Sequence, residues 1–166
     1  MSKLLLSLLI ALCPAGASTV VISASGQFSS GNTPAPPLEL PNAAFAFSFS
    51  VDSNPVVSNV TNLGFDVDFQ NFVYRLNNVI VNAVPAEIRF STAANGGLFT
   101  LFFGPESGFL NGMPIPELEF RGPQAFTGTT AAPVIPLGVM TPTSWTYSDA
   151  SNFDSHSTGL TNISAT

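Results

Sequence analysis

Asn42–Ser53 reads NAAFAFSFSVDS and sets Phe45, Phe47, Phe49 and Val51 on alternate positions, with Ala46, Ser48 and Ser50 between them. Successive side chains of a strand point to opposite sides of a sheet, so strict alternation predicts a β-strand with one large apolar face and one small, nearly uncharged face. Facing a core, the apolar set contributes about 6–10 kcal/mol of gross transfer free energy, at roughly 1.5–3 kcal/mol per large side chain. The same stretch, left at a sheet edge, is an aggregation or assembly segment.

The pattern recurs outward from there. Ser18–Phe28, STVVISASGQF, reads as a first strand, and Ser29–Pro41 reads as a loop because Pro34, Pro36, Pro37 and Pro41 remove ladder donors. Residues 64–84, GFDVDFQNFVYRLNNVIVNAV, predict a hairpin turning at Asn77-Asn78, since Asn tolerates the positive φ of a type I′ turn. Phe65, Val67 and Phe69 fall in one phase and Phe72, Tyr74 and Leu76 in the other, which predicts a β-bulge near Gln70-Asn71. AEIRFST and PELEFRG place Ile88, Phe90, Leu118 and Phe120 inward and Glu87, Arg89, Glu117, Glu119 and Arg121 outward, where opposed Glu and Arg can pair across strands. GLFTLFF, Gly97–Phe103, is apolar on both faces and suits a central strand. VIPLGVM, SWTYS and LTNISAT supply the remainder. Roughly eight to ten short strands without a 3.6-residue stripe predict a single all-β domain, an antiparallel β-sandwich of jelly-roll-like topology.

The chain has 166 residues, ten acids, four basic residues and one cysteine, Cys13. MSKLLLSLLIALCPAGAS carries Lys3, an apolar run from Leu4 to Leu12 and the small-residue site Ala15-Gly16-Ala17, the parts of a secretory signal peptide. That run is shorter than the roughly 20 residues a membrane-spanning helix needs. The expected organisation is a signal peptide over 1–17 and a secreted, extracellular domain over 18–166. Cys13 as a lipidated cysteine is the competing reading, disfavoured by Leu12 before it and Pro14 after it. The mature chain would hold no cysteine, and its ten acids against Arg75, Arg89 and Arg121 give a formal charge of −7 with His156 neutral. Nucleic-acid binding through phosphate neutralisation is thereby excluded.

Candidate chemistry is sparse. His156 in NFDSHS is the single histidine, and no nucleophile elbow, P-loop, dinucleotide fingerprint or H-E-x-x-H accompanies it. Asp66 and Asp68 lie two apart and share one strand face. Asp149 and Asp154 flank Asn152 in SDASNFDS. These oxygen-rich groups are candidate calcium ligands, although their spacing matches no EF-hand loop and ordinary solvated or turn roles compete with the metal role. Trp145 and Tyr147 share a strand face and are candidate stacking platforms for a sugar, against the alternative that they cap the core. Asn59-Val60-Thr61 and Asn162-Ile163-Ser164 match the glycosylation sequon.

With its signal peptide, its Phe-, Ser-, Thr- and Asn-rich mature chain, FAFSFSVDSNPVVSNV, FRGPQAFTG and the closing SNFDSHSTGLTNISA, the chain resembles the small bacterial exoproteins that usually carry a PEP-CTERM sorting tail. In that group a segment similar to TNISA precedes Val-Pro-Glu-Pro, an apolar helix and a basic end. Here the sequence stops at Ala165-Thr166, which implies free secretion. The resemblance implies a non-enzymatic matrix or surface component, with exopolysaccharide or matrix proteins as partners and no obligatory cofactor. An extracellular glycan hydrolase or lyase using Asp66, Asp68, Asp149 or Asp154 is the alternative, favoured by two carboxyls of perturbed pKa in one cleft.

Overall fold

The structure, a computed structural model, describes residues 18–27, 44–103, 117–148, 153–156 and 162–166. The expected signal peptide and the proline-rich loop lie outside them. Two antiparallel sheets pack face to face. One runs in the order β12 (Gly138–Met140), β15 (Asn162–Ala165), β1 (Thr19–Gln27), β2 (Ala44–Asp52), β5 (Gln70–Leu76) and β6 (Val79–Val81). The other runs β14 (Phe153–His156), β13 (Ser144–Ser148), β9 (Glu117–Arg121), β8 (Phe99–Phe102), β7 (Glu87–Ser91), β4 (Gly64–Val67) and β3 (Val57–Ser58). A separate ribbon pairs β10 (Thr127–Thr129) with β11 (Ala132–Val134).

The predicted sandwich is therefore observed, with more and shorter strands than the eight to ten expected. β3, β6, β10, β11 and β12 span two or three residues each, too few for alternation to register in sequence. The hairpins β1–β2, β5–β6, β7–β8 and β13–β14 each stay within one sheet, while the steps β2–β3, β4–β5, β6–β7, β12–β13 and β14–β15 pass between the two sheets.

The Phe strand builds the core. Phe45, Phe47, Phe49 and Val51 are all buried, and the three rings meet the other sheet through aromatic contacts. The ring of Phe45 lies 5.2 Å from Trp145, Phe47 lies 5.4 Å from Phe120, and Phe49 meets Phe99 edge-on at 5.7 Å. Such pairs add roughly 0.5–1.5 kcal/mol each beyond area burial. β2 sits between β1 and β5, so its backbone is laddered on both sides and the stretch is not an edge.

The Asn77-Asn78 turn forms as predicted, with φ of 47° and 67° and Leu76 paired to Val79. The phase change before it has a larger cause than a bulge alone. β4 belongs to the seven-stranded sheet and β5 to the six-stranded one, so Asp68-Phe69 carries the chain from one layer to the other. The bulge is present as well. Ser48 pairs with Val73 and Ser50 with Gln70, leaving one extra residue on β5 where Asn71 adopts φ 54°. β8 is central in its sheet, as its two apolar faces predict.

Candidate functional site

The layer crossing positions the most chemically furnished groove. It lies at the end of β4 and is lined by Ser58, Asn59, Asp66, Asp68, Phe69 and Glu87. Asp66 is the anchor. It is 3% exposed and faces Arg89 directly across the β4–β7 ladder. Arg89 donates from Nε to Asp66 Oδ1 at 2.7 Å and from Nη2 to Oδ2 at 3.3 Å, while Asn59 Nδ2 donates to Oδ2 at 2.6 Å. Asn59 reaches it from a left-handed backbone, φ 46°, which asparagine tolerates better than other non-glycine residues. Arg89 also contacts Glu87 Oε1 at 3.1 Å and lies 5.6 Å above the Phe102 ring.

Two carboxyls in this groove are driven apart. Burial alone would raise Asp66, but hydrogen bonds with Arg89, Asn59 and Glu87 and the guanidinium charge outweigh it and hold Asp66 below the ordinary carboxylate range. Glu87 moves the other way. Burial, then the hydrogen bond with Asp66 and its negative charge, raise the Glu87 carboxyl, and the Arg89 charge opposes this only in part. Arg89 is held more firmly protonated, chiefly by its hydrogen bond to Asp66.

From Asp66 a polar row continues across the outer face of the sheet, through Arg89, Thr100, Glu119 and Thr146. Glu119 Oε2 accepts from Arg121 Nη2 at 2.9 Å and from Thr146 Oγ1 at 3.2 Å. The cross-strand ion pair that forms is Asp66–Arg89, with an aspartate outside the expected Glu and Arg set, and Glu87 pairs with Arg89 along its own strand. Arg121 pairs with Glu119 along its own strand instead.

The residues singled out from sequence fare differently. Asp66 and Asp68 both line the groove, but Asp68 is exposed in the crossing and Asp66 is buried in the ladder. Both oxygens of Asp66 already accept bonds from Arg89 or Asn59, so the expected sharing of a calcium ion with Asp68 would require displacing a guanidinium. Among the described residues, no group of three or more acids or histidines is arranged to hold a metal. Asp149 lies outside the described residues. Asp154 and Tyr147 oppose one another in the β13–β14 register, and their side chains also lie outside what is described.

Trp145 is corrected outright. It is 1% exposed and packed on Phe45 and Phe120, so its ring faces are core and cannot stack on a sugar. Asn59, Glu87 and Arg89 were not among the expected site residues. The outward phase of Glu87 and Arg89 was visible, but the register that sets Arg89 against Asp66, 23 residues away, was not. In comparisons with known proteins the chain matches no family model, no curated protein and no solved structure.

Proposed function

We propose that the protein is a secreted, non-enzymatic β-sandwich of the extracellular matrix or cell surface, and that it holds polysaccharide in the groove between Asn59 and Glu87. The observation that supports this is the convergence there of acceptor oxygens from Asp68, Glu87 and Ser58 beside the half-buried Phe69 ring. Carboxylates accept bonds from sugar hydroxyls, and an aromatic ring offers an apolar surface to the sugar face. The acidic charge of the chain disfavours nucleic acid and other polyanions and leaves a neutral or cationic glycan as the better fit.

A specific observation favours the glycan-active hydrolase as the second reading. Glu87 raised and Asp66 lowered in one groove is the pattern that assigns an acid and a base. The Arg89 and Asn59 bonds oppose it, because they occupy both oxygens of Asp66 and leave it neither a free nucleophile nor a free base. The test is co-sedimentation of the purified protein with the exopolysaccharide of its source cells, with calcium and with chelator. Saturable binding weakened about tenfold by Glu87→Gln or Asp68→Asn, the loss expected for a hydrogen bond to a charged group, supports the groove. Release of reducing ends that disappears in Glu87→Gln would replace it with the hydrolase.

A further inference from the structure

We propose that the outer face of the six-stranded sheet holds a glycan by a single uronic acid residue, with Arg75 on the carboxylate and the adjacent neutral sugar on a row of serines. Arg75 stands apart from the other two arginines. Arg89 is held by Asp66 and Glu87 and Arg121 by Glu119, whereas no carboxylate pairs with Arg75 among the described residues. Its side chain is exposed, and its Nη1 donates to the Asn78 carbonyl at 3.4 Å, which leaves the rest of its donor fork for a ligand.

Two adjoining cavities meet at this residue. One, of about 400 Å³, runs toward the hairpin turn past Gln27 and Asn78, and the other, of about 310 Å³, runs over Ser23, Ser48 and Ser164. Ser25, Ala46 and Arg75 border both, so the two form one continuous trough. The register explains the opening. Ser25, Ala46 and Arg75 stand side by side on β1, β2 and β5, so only a methyl group lies between two positions about 10 Å apart, at two strand spacings. In the next row Ser164, Ser23 and Ser48 stand side by side on β15, β1 and β2.

The chemistry of the trough selects its occupant. A guanidinium matches a carboxylate with two parallel hydrogen bonds, and its one charge balances a carboxylate where a phosphate monoester would carry nearly two. Serine hydroxyls both donate and accept, as sugar hydroxyls do, and offer little to an aliphatic acid. The local field agrees. Arg75 is the only basic residue on the six strands and Asp52 the only acid, six positions beyond Ala46, about 20 Å along β2 and twice a Debye length of about 10 Å. The net negative charge of the whole chain still repels a polyanion, so the uronic acids of this glycan are separated by neutral sugars. The site lies on the sheet opposite the Asn59–Glu87 groove and does not depend on it.

Amide NMR shifts of the isotope-labelled protein test this, in titrations with methyl glucuronoside, methyl glucoside, acetate and a disaccharide of glucuronate and glucose. The glucuronoside should give saturable shifts at Ser25, Ala46 and Arg75, the glucoside none there, and acetate should bind about tenfold more weakly or worse. The disaccharide should bind more tightly than the glucuronoside, and Ser23→Leu, which fills the serine row, should remove that gain alone. Arg75→Gln should weaken both uronates about tenfold or more, with thermal melts confirming that each variant is folded. An absence of shifts on this face, acetate binding as well as the glucuronoside, or a folded Arg75→Gln variant that binds as the parent does would overturn the proposal. A disaccharide that binds no more tightly than the glucuronoside would overturn the glycan as occupant and indicate a free sugar acid.

Discussion

Asp66 carries its charge inside a wall of the sandwich, and Arg89 is the reason it can. Removing Arg89 takes the guanidinium and both of its hydrogen bonds from a buried carboxylate, so Arg89→Ala should cost about 2–3 kcal/mol by urea unfolding at neutral pH. The pH dependence gives a sharper test. Asp66 has a folded pKa below its unfolded value. Its contribution is therefore complete above the unfolded pKa and is lost as pH falls through the folded one, below about pH 4. Glu87 has the opposite sign, its contribution being present in acid and lost as pH rises through its raised folded value. In Arg89→Ala the largest opponent of Asp66 burial is gone and Asn59 and Glu87 remain, so its folded pKa rises, and stability should now fall with increasing pH across the acid range. Urea melts between about pH 3 and 6 compare the two slopes. An unchanged slope would mean that the Arg89 contact does not set the protonation of Asp66. Phe47 offers a simpler test in the core. It is 3% exposed and rings with Phe49, Phe72, Phe99 and Phe120, so Phe47→Ala should cost about 3–5 kcal/mol, and Phe47→Asp should abolish cooperative unfolding.

At the scale of elements, the turns show where the chain depends on particular backbone angles. Asn77 and Asn78 both have positive φ, a conformation that costs a β-branched residue about 1–2 kcal/mol. Asn78→Val should destabilise by that amount and Asn78→Gly by little or nothing, as read from midpoints of thermal unfolding. Gly97 is stricter, because φ is +90° and a Cβ would run into the Gly122 carbonyl. The Asn77-Asn78 turn was legible in advance, as were β2 and β8, since a period of two and a two-Asn spacing are local signals. The crossing at Asp68-Phe69 was half legible. A bulge and a change of sheet shift the inward phase alike, and both occur within four residues, so sequence flagged the break without separating the causes. Trp145 was ambiguous because an aromatic on alternating positions fits a core and a ligand surface equally. The Asp66–Arg89 pair was invisible because register between strands 23 residues apart follows from the whole packing arrangement.

For the whole molecule, the unequal protection of its sheets governs how it should fail. Ala44–Asp52 is the most aggregation-prone stretch by composition, yet β1 and β5 ladder it on both sides. Exposed aliphatics gather at the borders of the six-stranded sheet, where Val79 is 68% exposed on β6 and Leu137 is 65% exposed beside β12. Charged residues are how native sheets block edge pairing, and neither border strand contains one. Val79→Lys combined with Leu137→Lys alters exposed side chains only. The unfolding midpoint should therefore shift by no more than the roughly 0.5 kcal/mol typical of surface changes. Light scattering on heating below that midpoint should nevertheless slow, because native-state edges are then the species that associate. If scattering is unchanged and begins only with unfolding, association starts from chains that have already released β2. The hazard then belongs to the Phe strand itself, and Ser48→Lys, outward on that strand, should suppress it where the edge lysines did not.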